Sequence, residues 1–219
     1  MMTKVAEVAT IRNGFAFRGR IESEDDGDTR VIQPSDLTRN LGDTIDLDCV
    51  IQVGNALDPD SLVQYLVLDK RELICRKLGK KGKRYYLGVN DILFSSRGSR
   101  QIAYRPVCVP FSEEPVVSSH GLFVISAIQK KIEPAYLHWV LNTRSVQRRI
   151  EVYKEGTSIS FISERNLGAV EIPLPSKTKQ KKIVELISLQ ERRARLRRQL
   201  VEKDKKIIEA TAWSLATGQ

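Results

Sequence analysis

The feature that most limits what this chain can become is a change of character near its end. Ile172-Pro173-Leu174-Pro175 closes one kind of sequence, and a run without further proline continues from Ser176 to Gln219. That run holds twelve Lys/Arg (177, 179, 181, 182, 192, 193, 195, 197, 198, 203, 205, 206) against five acids. With no glycine before Gly218, it predicts one continuous helix. Its apolar residues recur at heptad spacing, as Ile187, Ala194, Val201, Ile208 and Leu215, flanked on one side by Leu186, Leu200 and Ile207. A helix of about 40 residues rises about 60 Å, longer than a domain made from the rest of the chain is wide. The stripe therefore calls for cover from beyond its own domain, and another helix is the simplest cover.

Residues 1–175 have the length of a single domain with its own core. Hydrophobic residues make up 41% of the chain and both charge signs are abundant, which places it among folded proteins. No apolar run approaches the ~18 residues of a membrane span. Met1-Met2-Thr3-Lys4 leads into no signal-peptide core, so a cytoplasmic location is expected. Cys49, Cys75 and Cys108 are widely spaced and odd in number, and read as buried thiols rather than a disulfide or zinc framework. Charge is unevenly placed: the net is −6 over 1–68, +8 over 69–105, zero over 106–175 and +7 beyond. Two basic blocks on a neutral or acidic body point to a polyanion met at defined places, not to a membrane surface.

The body reads as β-rich and mixed. Val5–Ile11 is a short helix or strand ending at the turn signal Asn13-Gly14, Glu22–Asp28 is an acidic surface loop, and Val31–Gln33 is a strand stopped by Pro34. The section 44–70 reads as short strands and loops. Leu73–Cys75 and Tyr85–Leu87 are expected to pair around the lysine-rich tip Arg76–Arg84, and Ile92–Phe94 is a buried strand. Val107–Val109, Val116–Val117 and Leu122–Ile125 continue the β pattern. Glu133–Asn142, with Pro134 near its first turn, and Ser145–Val152 then take helical period. Gly156–Ser158 is a loop, Ser163 caps a short turn through Leu167, and Ala169–Ile172 is the last strand. The fold class is mixed α+β: one β-rich domain over 1–175, then one long helix over 176–219.

A search for catalytic chemistry returns nothing. There is no G-x-G-x-x-G and no G-x-x-x-x-G-K-[ST], and Gly79 and Gly82 sit among lysines at the wrong spacing for a phosphate loop. No H-E-x-x-H occurs, and His120 and His138 form no cluster with the cysteines, so no metal is expected. No glutamate is followed two residues later by lysine, which removes the E-x-K half of a metal-dependent nuclease site. No Asn/Asp-Pro-Pro-aromatic loop of an adenine methyltransferase is present. His138 and Trp139 read as core and rim of an amphipathic helix.

The positive signal within the body is the block 69–105. Arg76, Lys77, Lys80, Lys81, Lys83 and Arg84 on a glycine-interrupted tip can reach phosphates, and Tyr85 and Tyr86 follow at once. Arg97 and Arg100 around Gly98 could set guanidinium forks on guanine edges, which lysine cannot do bidentately. These ten residues are the candidate DNA contacts. The arginines at 192, 193, 195, 197 and 198 read first as a solvated face.

In order and spacing, several segments resemble the specificity subunits of type I restriction–modification systems. Gly88–Gly98 is similar to their GDILFS-x-x-G strand and turn, and Glu133–Leu137 with Leu141-Asn142 to their P-x-Y-L…L-N helix. Gly156-Thr157, Ile162-Ser163, Leu167, Ile172–Pro175, Gln180 and Ile183 resemble the entry into their conserved helix, and Val8–Phe15 fits their opening. The resemblance implies a target recognition domain that reads half of a bipartite DNA site, joined to a spacer helix. It also implies no catalytic residue and no cofactor on this chain. The chemistry would belong to partner adenine methyltransferase subunits using S-adenosylmethionine, joined in some systems by a translocating nuclease subunit. A complete specificity subunit carries two recognition domains and two such helices, whereas this chain has one of each. A homodimer through Leu186, Ile187, Ala194, Leu200, Val201, Ile207, Ile208 and Leu215 is the simplest repair. The rival expectation is a coiled-coil adaptor that keeps the recognition fold and binds protein instead of DNA.

Overall fold

Ile92-Leu93-Phe94 lies at the centre of the domain, and its uninterrupted apolar run reflects burial on both faces. It forms β6 (Asp91–Ser95), which sits between β10 (Leu122–Ala127) and the short β7 (Ala103–Tyr104), with β2 (Ala9–Asn13) on the far side of β10. All three pairings in this four-stranded sheet are antiparallel. Alternation sends Ile92, Phe94, Phe123 and Ile125 to one core and Leu93 and Val124 to a second. The first core is closed by α4 (Pro134–Asn142), α5 (Arg144–Val152) and α6 (Glu164–Ala169), through Tyr136, Leu137, Leu141, Ile150 and Leu167. The second takes Ile32 from β3 (Thr29–Ile32), Leu37 from α2 (Pro34–Arg39) and Leu68 from β4 (Leu66–Asp69). The computed structural model describes residues 1–39, 66–98, 101–109, 114–156 and 160–217.

β3 is the middle of a second, three-stranded sheet, antiparallel to β5 (Ile74–Arg76) and parallel to β9 (Val116–Ser118). β4 pairs in parallel with β8 (Pro106–Val109). β1 (Met2–Lys4) pairs antiparallel with β11 (Glu171–Pro173), so the chain's first strand backs the last one before the long helix α7 (Lys177–Thr217). Among the described residues no helix is long and apolar enough to cross a membrane.

Several motif residues prove to be the joint between domain and helix. Gln180 is 1% exposed and its amide is fully used. Its Oε1 accepts from Glu133 N (2.8 Å), and its Nε2 donates to Pro175 O (2.8 Å) and Lys131 O (3.4 Å). The hydroxyl of Tyr136 donates to Pro173 O at 2.9 Å, and Lys177 pairs with Glu133 at 2.8 Å. Ile183 and Val184 then pack against the first core. Asn142 ends α4 by gripping β7 on both sides, accepting from Ala103 N (3.0 Å) and donating to Ala103 O (2.9 Å). These polar side chains satisfy buried backbone groups that would otherwise be stranded.

The structure corrects some local expectations. Val5–Ile11 is divided between α1 (Val5–Val8) and β2. The chain does not turn back at Asn13-Gly14: Gly14 N donates to Leu122 O and Phe15 bridges Ser119. Pro34 opens a helix rather than only ending a strand, and Cys75 is half-buried rather than buried. Cys49, most of 44–70, Thr157 and Ser158 lie outside the described residues, as does the side chain of Cys108. The expected hairpin around the lysines does not form. β5 pairs with β3, Tyr86 bridges Val117, and the tip is the helical turn α3 (Gly79–Gly82) running into a 3-10 turn at Lys83–Tyr85. Gly79, the first residue of α3, takes φ +51°, a conformation glycine adopts without strain, and the donors at the start of the turn are satisfied from a distant loop.

Candidate nucleic-acid interface

That distant loop is the acidic stretch 22–28, which lies along β5. A Cβ on Gly27 would stand 2.5 Å from Cys75 Sγ, so glycine permits the close approach. Glu24 N donates to Cys75 O (2.8 Å) and Asp28 N to Arg76 O (3.1 Å). Glu24 Oε1 pairs with Arg76 Nη2 at 2.9 Å, and Asp26 pairs with Lys77 Nζ at 2.5 Å. Asp28 accepts from both Leu78 N and Gly79 N at 2.9 Å. Those backbone donors, Leu78 first, with the hydroxyl of Thr29, hold the Asp28 carboxyl below its ordinary range, and Lys77 does the same for Asp26. Arg76 and Lys77 are therefore committed to internal ion pairs. Lys80, Lys81, Lys83 and Arg84 are exposed, and the three lysines have no ion pair among the described residues.

Behind the lysines stands an aromatic cluster. Phe15 packs on Phe17 with ring centroids 4.7 Å apart and meets Tyr85 edge-on at 5.1 Å. The Arg76 guanidinium lies over Phe17 at 5.8 Å, and that of Arg84 over Tyr85 at 4.8 Å while Nη2 donates to the Tyr85 hydroxyl (2.9 Å). Arg12 fixes this segment from below, donating to Tyr85 O (3.2 Å), Tyr86 O (3.0 Å) and Asp91 (3.3 Å). Tyr86, offered from the sequence as a DNA contact, is half-buried, and its backbone joins the second sheet. The residues singled out from the sequence do not include Arg12, Phe15 or Phe17, which the fold brings to this cluster. The available signal was the run Gly14-Phe15-Ala16-Phe17-Arg18, in which rings and a cation alternate.

Arg97 approaches the same end of the four-stranded sheet. The segment Ser118–Gly121 connects the two: Phe15 N donates to Ser118 O (2.7 Å), His120 N to Phe15 O (3.0 Å), and Ser96 N to Gly121 O (3.1 Å). Arg97 is exposed and bridges Phe161, while Gly98 N donates to Ser160 O at 2.9 Å. Arg100 lies outside the described residues. No group of three or more metal-ligating side chains occurs among the described residues.

The second candidate region is the stripe of α7. Its first member, Ile187, is half-buried on the side where Gln180, Ile183, Val184, Ser188 and Glu191 are also sheltered. From Arg192 to Thr217 every described side chain is exposed. Leu186, Leu200, Val201, Ile207, Ile208 and Leu215 are 60–80% exposed, and Ala194 lies open as well. Leu189, Leu196 and Trp213 add to the bare apolar surface. Glu191 sits where the shelter ends. Its Oε2 is buried without a partner among the described residues, and burial pushes its carboxyl up to about 7.

Solved structures share this architecture. A crystal structure of a type I restriction–modification system S subunit from M. genitalium aligns with TM-score 0.53 at 15% identity, covering 98% of this chain and 45% of that one. The HsdS subunit from Thermoanaerobacter tengcongensis aligns at 0.55 and 18%, covering 98% and 48%. A chain from a structural study of complex assembly and conformational transition of the type I R-M system aligns at 0.59 and 16%, covering 95% and 43%. At these identities the likeness is one of fold, and this chain spans less than half the length of those it matches. Comparison with curated proteins gives no match. The family model for the type I restriction modification DNA specificity domain, however, matches residues 1–203, and the chain belongs to that family.

Proposed function

We propose that this chain is a non-catalytic DNA-recognition unit that reads one half of a bipartite site and pairs, through α7, with a second copy of itself. The observation that carries the pairing is the apolar stripe beyond Ala194, bare over more than three helical turns on a helix rigidly rooted in the domain. Exposed leucine and isoleucine at heptad spacing are stabilised by a matching helix. An antiparallel pair would give the assembly two-fold symmetry and its target a palindromic, interrupted form. The exposed lysines of α3 would grip phosphates while Arg97 and Arg100 read base edges. Methyl transfer from S-adenosylmethionine would fall to a partner adenine methyltransferase, with a nuclease subunit joining it in cells that restrict DNA.

Light scattering on the full chain is expected to give the mass of two copies, and a monomer at micromolar concentration would remove the pairing. Deleting Ala194–Leu200 takes out one heptad, about 10 Å of helix, equivalent to roughly three base pairs. Methylation-site sequencing with the partner methyltransferase is expected to show the spacer shortened by that amount. An unchanged spacer would remove the ruler role. Salt-dependent duplex binding separates this reading from that of a protein-binding adaptor.

A further inference from the structure

The charged groups of the interface account for phosphate contact, but they leave three partly exposed rings without a role. We propose that Phe15, Phe17 and Tyr85 form an aromatic platform whose ring surfaces contact nucleobases, a contact that the lysines cannot make. The inference rests on the DNA-recognition reading above and adds a base-contacting surface to it.

Three observations support it. The first is that the rings are clustered yet incompletely covered: each is half-buried, and Phe15 touches both of the others. A packing role alone would be served by burying them, because exposed aromatic surface in water is unfavourable. The second is that the cluster is held in place. Arg12 fixes the backbone of Tyr85, Phe15 is bonded on both sides to the Ser118–His120 segment, and Arg76 is locked over Phe17 by Glu24 and by a 3.1 Å hydrogen bond to Glu22 O. With its guanidinium so occupied, Arg76 serves as a cationic cover on one ring rather than as a phosphate ligand. The third is the company the rings keep. Arg18, Lys83 and Arg84 are exposed beside them in sequence, which puts π-surface and cations in one patch. Flat apolar surface ringed by cations matches a nucleobase attached to its phosphate. It does not match a bare anion, which has no use for rings, or an acidic peptide, which has no use for three of them. Aromatic groups against bases are sequence-tolerant when they stack and selective when they meet a thymine methyl or a deformable step.

The test separates charge from ring. Duplex binding by the full chain is measured by fluorescence anisotropy from about 50 to about 300 mM salt for wild type, Phe17→Ala, Phe17→Leu and Lys80→Ala/Lys81→Ala/Lys83→Ala. Phe17→Ala is expected to weaken binding about tenfold or more with the slope of log K against log salt unchanged. The triple lysine variant is expected to lower that slope by about three. Phe17→Leu keeps the apolar bulk and removes the π-face, so it is expected to bind as poorly as Phe17→Ala while melting like wild type. Wild-type binding by both Phe17 variants, or recovery of full affinity by leucine, would overturn the platform and leave the DNA reading standing. A wild-type protein with no salt-dependent duplex binding would take down the DNA reading and the platform together. Should Phe17→Ala fail to fold, Phe17→Leu decides. Repeating the wild-type and Phe17→Leu measurements on single strands of the same sequence distinguishes unstacked bases from bases within a duplex.

Discussion

The two basic regions of this chain carry similar charge and use it in opposite ways. In the block at 76–84, an acidic loop about fifty residues away in sequence has taken two of the cations into ion pairs and propped up the turn that carries the lysines. A third cation, Arg84, is laid on a tyrosine ring. In α7 the described cations from Arg193 onward are exposed and make no ion pair among the described residues. Fixed groups can read a surface at ångström precision, whereas free ones can only add attraction. The difference shows that net charge locates a polyanion partner less well than the geometry holding the charge. It also explains why the segment with nearly as much positive charge, α7, is distinguished by its apolar stripe instead.

The largest expected effect tests the availability of charge within the block. Reversing Lys80, Lys81 and Lys83 to glutamate should lower duplex affinity at least about a hundredfold near physiological salt, uniformly across sequences. Lys77→Ala should change it less than about threefold, since Asp26 already holds that amine. Equal losses from the two variants would break the distinction between committed and free cations. A smaller effect contrasts the root of α7 with its bare end. Gln180→Ala strands Glu133 N and the carbonyls of Pro175 and Lys131, at a cost of about 1–3 kcal/mol. Thermal melting should fall by about 2–4 °C for each kcal/mol lost. Lys203→Ala on the exposed stretch should stay within about 0.5 kcal/mol of wild type. Arg97→Ala should relax one position of the target, as read by methylation-site sequencing, and leave the salt slope of duplex binding within about one unit.

The remaining effects are in pH. Burial, with Arg105 nearby, pushes His138 down to about 4, so its neutral form belongs to the fold. Stability from that site is present above the ordinary value near 6.5 and is lost as pH falls toward 4, by at most about 3 kcal/mol. Glu191 runs the other way. Its carboxyl is raised to about 7, so the favourable neutral form is present below its ordinary 4.5 and is lost as pH rises through 7. Glu191→Gln should therefore melt about 1–2 °C higher than wild type at pH 8 and match it near pH 4. A benefit confined to acid pH would contradict the burial of that carboxylate.

Much of the scaffold was legible because its signals are local. Ile92–Phe94 declared a buried strand, Pro134 a helix near its first turn, and Ser163 a cap whose hydroxyl does accept from Asn166 N at 3.3 Å. The continuous helix from 177 was readable from the absence of breakers and the heptad stripe. The lysine tip was misread because its geometry is decided at long range. No residue within 76–84 announces that Asp28 will satisfy Leu78 and Gly79, or that β3 will claim β5. The roles of Gln180, Asn142 and Tyr136 were hidden for the same reason, since each serves backbone groups in another element. The aromatic cluster combines residues 15, 17 and 85, a union that only the sheet registers create.

The buried amide of Gln180 has a mechanical consequence. Past the sheltered stretch that ends at Glu191, α7 extends about 40 Å as a bare lever, so a tilt of about 5° at the root sweeps the far end through about 3.5 Å. That sweep matches the ~3.4 Å rise of one base pair. If two such levers set the distance between two reading heads, the tolerance on that distance is fixed less by the length of the helix than by the stiffness of the joint around Gln180, and a softened joint would blur the permitted spacing before it weakened the grip on either half of the site.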